Sequence, residues 1–239
     1  MRLFSATRAS GLQVAEIGQN SGPLTPEAFA GILPVSRETL ARLSTFVALL
    51  AVRNEQVNLV SPASLGDVWR RHVLDSAQVY PLIPKGARKL CDIGSGGGFP
   101  GLVLAAMAAE AGHIHVTLIE SIGKKCGFLR DAAAAMGIGP KVTIIQGRAE
   151  DQPPARFDVM TARAVAPVTD LLAYAAHLLK PHGTALLLKG AKAEDELTEA
   201  RRSWNMGVSR VASLSDPSGT LLIIKDFSRV RRNQGRTQT

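Results

Sequence analysis

A chain of 239 residues, 46% hydrophobic and carrying a formal charge of +8, is long enough to bury one sizeable core and more basic than a small-molecule enzyme needs to be. Two cysteines cannot build a disulfide framework, no Cys/His cluster has zinc spacing, and no apolar run approaches the roughly 20 residues that span a bilayer. A stapled secreted domain and an integral membrane protein are thereby excluded, and a polyanionic partner is favoured, nucleic acid being the commonest.

Residues 1–35 read as a poorly ordered N-terminal extension: Arg2 and Arg8 stand among small polar residues, and no secretory apolar segment follows. Pro34 and Ser36 open an amphipathic helix to about residue 56, with Leu40, Leu43, Val47 and Leu50 on one face. After a loop at 58–62, a second helix over 64–80 carries Trp69, Arg70, Arg71, His72 and Asp75 and ends at Pro81 and Pro84. These two helices make a cap over 36–84, followed by a main domain at 85–228 and a basic tail at 229–239.

From Lys89 the pattern alternates strand and helix. Strands are expected at 89–93, 115–119, 141–145, 157–161, 184–188, 208–214 and 221–226, and helices at 102–111, 124–136, 168–179 and 194–204. Such alternation predicts an α/β fold, a Rossmann-like seven-stranded and mostly parallel sheet covered on both faces. Only six residues separate the last two strands, which makes that connection a hairpin and implies a seventh strand inserted antiparallel at the edge.

The run Cys91-Asp92-Ile93-Gly94-Ser95-Gly96-Gly97-Gly98-Phe99-Pro100-Gly101 joins the first of these strands to its helix. Glycines at Gly94, Gly96 and Gly98 let the backbone turn sharply and approach a nucleotide-like ligand at a helix N-terminus. The dinucleotide fingerprint needs a third glycine where Phe99 stands. Asp92, just ahead of the loop, would repel a pyrophosphate but suits an amino group and a sulfonium charge. S-adenosylmethionine therefore fits better than NAD.

Glu120, ending the second strand, is placed to accept hydrogen bonds from ribose hydroxyls. The backbone of Ala149 and Glu150, after the third strand, could meet an adenine edge. Arg163, after the fourth, could bind a base oxygen, a phosphate or the cofactor, or simply pair with a helix carboxylate. That rim lacks the Asn/Asp-Pro-Pro-aromatic motif of amine methylation, and neither Cys91 nor Cys126 is placed as a nucleophile. A ring nitrogen with a free lone pair, such as guanine N7, is the acceptor that needs neither.

Several segments together resemble the RsmG (GidB) family of small-subunit ribosomal RNA guanine-N7 methyltransferases. They are Asn58-Leu59-Val60-Ser61, Arg71-His72-Val73-Leu74-Asp75-Ser76, the glycine loop, Leu118-Ile119-Glu120-Ser121 with Lys124-Lys125, Arg148-Ala149-Glu150, Arg163-Ala164 and Lys189-Gly190. They cover roughly residues 36–190 in the family's order. Two departures stand out: Leu102-Val103-Leu104 replaces a common Ile-Pro-Leu, and Thr161-Ala162 stands where a serine precedes the Arg-Ala pair.

The resemblance implies a class I S-adenosylmethionine-dependent methyltransferase acting on the guanosine at position 527 in the 530 loop of bacterial 16S rRNA. By that resemblance Gly94, Phe99, Ala149, Glu150 and Arg163 are cofactor-contacting positions. The implied partner is 16S rRNA or the 30S subunit, met in the cytoplasm by a monomer with no metal and no membrane contact. A small-molecule methyltransferase, a Rossmann oxidoreductase and a non-catalytic rRNA-binding protein are the rival readings, separable by cofactor calorimetry and by methyl transfer to 30S subunits.

Overall fold

The computed structural model describes residues 22–230. Its seven-stranded sheet has the order β3-β2-β1-β4-β5-β7-β6. The strands are β1 (Lys89–Ile93), β2 (His115–Glu120), β3 (Val142–Gln146), β4 (Phe157–Arg163), β5 (Leu179–Lys189), β6 (Trp204–Ala212) and β7 (Thr220–Arg229). The first five run parallel; β7 runs against both β5 and β6 and sits between them. The expected hairpin therefore closes this edge with its second strand inserted, one position in from the rim.

The order in which successive strands are added to the sheet reverses between β1 and β4, the switch point at which open α/β sheets bind ligands outside the carboxyl ends of their strands. Register places Asp92 beside Thr161 and Glu120 beside Gln146.

Strand burial follows the sheet's two faces. The Gly101–Ala108 and Gly123–Ala135 helices cover one face and the Val168–Leu178 and Ala193–Ala200 helices the other, each over its own apolar cluster. Trp204, expected at a helix end, is instead the buried first residue of β6, with the Arg229 guanidinium 4.2 Å over its ring. Arg229 thus belongs to β7 rather than to a tail, because its stem has an aromatic surface to cover. The rest of the expected basic tail, residues 231–239, lies outside the described residues.

The expected N-terminal extension also needs correcting from residue 22 on. A helix spans Pro26–Ile32, begun by the Thr25 side chain accepting from the Ala28 N–H. Phe29 is fully buried against Trp69, with ring centroids 5.5 Å apart, and the Leu24 N–H donates to Asp67. Residues 1–21 lie outside the described residues.

The Arg37–Val57 helix starts at Ser36, whose hydroxyl accepts from the Thr39 N–H, and stops at Asn58 in the left-handed region. Its buried face centres on Leu43, Phe46 and Leu50; Leu43 and Leu50 are on the expected face, while Leu40 and Val47 lie at its partly buried edge.

The second cap helix is broken, not continuous. One turn at Pro62–Leu65 is followed by a π-helical segment, Trp69–Leu74, and a last α-turn, Asp75–Ala77. The Asp75 N–H reaches back five residues to the Arg70 carbonyl, and this wide turn rotates His72 and Asp75 toward the sheet.

The cap and the glycine loop share one core. Phe46 packs on Phe99 at 5.0 Å and on Phe128 at 6.2 Å. The Asn54 amide accepts from the Leu59 and Val60 N–H groups and donates to the Val60 carbonyl, which holds Leu59 against Gly97.

Candidate active site

The glycine loop is held from below by two carboxylates. Glu120, buried at the end of β2, accepts from the Gly96 N–H at 2.8 Å and from the Ile122 N–H at 2.9 Å. Asp92 accepts from the Gly101 N–H at 3.2 Å and from the Thr161 hydroxyl at 2.8 Å. Gly94, Gly96 and Gly98 all have φ between 52° and 93°, a region in which only glycine is unstrained.

Asp92 is fully buried, and burial pushes its carboxyl up to about 6 despite the hydrogen bonds from Thr161, Ser95 and Gly101 and the charge of Arg163. The expectation that it faces a ligand's amino group is corrected here. Pairing of β1 with β4 puts Thr161 alongside and the helix N-terminus above, so both oxygens are committed to the chain.

Phe99 needs a similar correction. Its ring is buried and lines neither cleft: it stacks on His72 at 4.9 Å, contacts Phe46 and carries the Arg163 guanidinium 5.1 Å above its centroid. Gly96 and Gly98 likewise shape the loop from within, Gly98 lying against Leu102 and Phe46.

Two clefts open on the carboxyl rim. The first, about 260 Å³, is lined by Gly94, Glu120, Ala149 and Glu150 among others. Four of the nine expected positions thus come together over the ends of β1, β2 and β3. The second, about 400 Å³, lies over the ends of β4 and β5 and the start of β7, and takes in Arg163. The two adjoin at a single stretch: Ala164 lines the second cleft and Val165 the first. A Cβ on Gly94 would come within 2.6 Å of a Val165 methyl, so that side chain lies directly on the loop.

Arg163 is clasped by the π-helical turn. Its Nη1 donates to the Arg71 carbonyl at 3.1 Å and to Asp75 Oδ2 at 3.2 Å, and its Nη2 to His72 Nδ1 at 2.8 Å. Accepting on Nδ1 makes His72 the neutral Nε2–H tautomer, and Nε2 is buried with no partner among the described residues. Burial first, then the charges of Arg163 and Arg71, depress its pKa to about 3.

Asp75 is the hub of the clasp. Its other oxygen accepts from Ser215 Oγ at 2.7 Å and Gln78 Nε2 at 3.1 Å, and Gln78 Oε1 accepts from the Leu214 N–H at 2.7 Å. Arg163 is thereby coupled to the β6–β7 hairpin. Nothing in the spacing of His72 and Asp75 disclosed this; only the i, i+3 placement hinted at a shared partner. Asp75→Ala is expected to cost about 2–3 kcal/mol in urea unfolding, because it strands a guanidinium and two donors that are largely out of water. Asp75→Asn, which keeps an oxygen acceptor, should recover part of that loss.

Burial raises the pKa of both Cys91 and Cys126, and the Cys126 thiol points at the Glu120 carbonyl at 3.2 Å. Neither is a thiolate nucleophile at neutral pH. Among the described residues no three His, Cys, Asp or Glu side chains are grouped to hold a metal ion, and no helix is long and apolar enough to cross a membrane.

Residues 39–221 match the family described as "rRNA small subunit methyltransferase G", GidB. The ribosomal RNA small subunit methyltransferase G of Paramagnetospirillum magneticum is 49% identical over 197 residues, 82% of this chain and 93% of that protein. Its counterpart in Gluconobacter oxydans is 46% identical over 196 residues, covering 82% of this chain and 98% of that one. Among solved structures, an O-methyltransferase from Bacillus cereus in complex with SAH superimposes with a TM-score of 0.56 at 13% identity, covering 84% of this chain and 96% of that chain. The O-methyltransferase TomG from Streptomyces achromogenes gives 0.53 at 16%, covering 84% and 95%. At such identities these two share the fold.

Proposed function

The chain belongs to the GidB family of ribosomal RNA small subunit methyltransferase G proteins, and from that premise we propose that it moves the methyl group of S-adenosylmethionine to N7 of a guanosine in the 530 loop of bacterial 16S rRNA, position 527 by family resemblance. The observation that carries this reading is the pair of clefts meeting at Ala164–Val165, beside an arginine already fixed in place. The reaction belongs in the cytoplasm, where ribosomes are made, and one chain supplies every group it needs.

The first cleft fits the donor. Bare backbone at Gly94 would admit close approach, Glu120 would accept from the ribose hydroxyls beside the loop amides it already holds, and the Ala149–Glu150 backbone would border the adenine. S-adenosylmethionine supplies a methyl carbon made electrophilic by its sulfonium. Guanine N7 needs no activation: its lone pair forms the C–N bond as the C–S bond breaks, sulfur keeps the electron pair, and the positive charge passes to the base with no proton lost. The protein's task is alignment of the reacting atoms at ~3 Å separation and exclusion of water.

Arg163 is suited to that task because it is rigid. Three of its donor contacts and its face over Phe99 are satisfied by the chain, so the rest of the guanidinium can orient a partner without first being ordered. Asp75 offsets its charge, which lessens the repulsion a cation would exert on the ring as it becomes positive. The protein, positively charged overall through its Lys and Arg side chains, meets the RNA phosphates, so binding weakens as salt rises.

Labelled S-adenosylmethionine with 30S subunits lacking the modification should give one methyl group per subunit, mapped to N7 of that guanosine. Transfer to a different nucleotide, or to neither subunits nor free 16S rRNA, would overturn the reading.

A further inference from the structure

The second cleft is the feature that the donor site leaves unused. We propose that it is the pocket for the acceptor guanosine, turned out of the RNA, and that Glu196 reads the guanine's N1–H and 2-amino edge. This rests on the reaction proposed above and assigns its second substrate.

Four observations carry it. The cleft adjoins the donor cleft where the chain passes from Ala164 to Val165, so an acceptor held in it stands next to the donor, as direct methyl transfer requires. Leu188 and Leu221 give it an apolar wall suited to the flat face of a base. Its inner cations are already balanced, Arg163 by Asp75 and Lys189 by Glu196, so a neutral base is not opposed by net charge. Lys192 at the rim is exposed and has no partner among the described residues, which leaves it for the phosphate of an incoming nucleotide.

Glu196 supplies the discrimination. Its Oε2 accepts from Lys189 Nζ at 2.7 Å and from the Val168 N–H at 2.9 Å, while Oε1 has no partner among the described residues, and Glu196 lines the cleft. A guanine whose N7 faces the donor turns two donors, N1–H and the 2-amino group, to the opposite side. Adenine in that pose offers a ring acceptor there, and a carboxylate oxygen repels it.

Gly190 offers a place from which to fill the cleft. Its φ is ordinary, and a Cβ added to it would meet nothing within 4 Å, although it lines the cleft. Neither backbone strain nor a neighbour calls for glycine here, and a large side chain would enter the cleft without displacing the protein.

Gly190→Phe is therefore the test. It should melt like the wild type and bind S-adenosylhomocysteine within about twofold by calorimetry, yet lose roughly 100-fold or more of methyl transfer to unmodified 30S subunits. Binding of 7-methylguanosine 5′-monophosphate, followed by NMR in the presence of S-adenosylhomocysteine, should be lost in this variant. Wild-type transfer and wild-type nucleotide binding in Gly190→Phe would overturn the pocket. For Glu196, subunits carrying inosine at the target should be roughly tenfold poorer substrates than guanosine for the wild type, and equal for Glu196→Gln. Undiminished discrimination in Glu196→Gln would overturn its role. Nucleotide binding in a wild type that methylates no RNA would instead count against the reaction while supporting the pocket.

Discussion

Between pH 6.5 and pH 4 the variants Asp92→Asn and His72→Gln are expected to show stability profiles of opposite slope. Asp92 titrates near 6 in the fold against 3.8 ordinarily, so the native state holds its proton where the unfolded chain has released it. Its contribution is fully present below about pH 3.8 and is lost as pH rises through about 6, a swing on the order of 3 kcal/mol. His72 titrates near 3 against 6.5, so its contribution is present above about pH 6.5 and is lost as pH falls toward 3. Down to pH 4 that loss is again on the order of 3 kcal/mol.

In the wild type the two largely cancel. Asp92→Asn keeps the geometry of the protonated carboxyl, its amide donating to Thr161 and its oxygen accepting from Gly101. That variant retains only the histidine's slope and should weaken steadily in acid. His72→Gln keeps an acceptor for Arg163 and should grow more stable toward pH 4. Asp158, Asp216, Glu110 and Glu194, whose pKa values are lowered, titrate alike in all three proteins and drop out of the comparison. Urea midpoints at pH 4, 5, 6 and 7 decide the matter, and parallel profiles would refute it.

Gly101→Ala is expected to destabilise the protein by about 3 kcal/mol and to weaken S-adenosylmethionine binding with it. A Cβ there would collide with Leu118 and come within 2.8 Å of Asp92 Oδ2. Leu118 lies in a central strand of the sheet and Asp92 is tied to Thr161, so neither can withdraw cheaply. Displacing Asp92 also frees the Gly101 N–H and lets the loop's carboxyl end drift. Gly190→Ala, in open space, is the matched control and should change stability by under about 0.5 kcal/mol. A chemical-denaturation comparison of the two, with calorimetry of the cofactor, would expose a cost that did not depend on crowding.

Much of this architecture was legible before any coordinates. Alternating apolar strands and helical runs pointed to the sheet, and the glycine spacing with Glu120 pointed to the rim where the first cleft opens, because a tight strand-to-helix turn imposes local residue types. What stayed hidden was long-range. A carboxylate before a glycine loop reads as a ligand group until the register with β4 sets Thr161 beside it. The wide turn at Trp69–Leu74 has no sequence signature of its own, and without it His72 and Asp75 look like ordinary helix residues. The short linker announced both the hairpin and the inserted seventh strand, and β7, more apolar along its length than β6, takes the more buried position.

The junction at Ala164–Val165 also bears on traffic. Two open clefts that adjoin there, each with exposed residues at its own mouth, do not have to be filled or emptied through a shared doorway. On the reading proposed above, a spent donor would leave past Glu150 while a nucleotide still sat beside Lys192, and neither substrate would have to wait for the other.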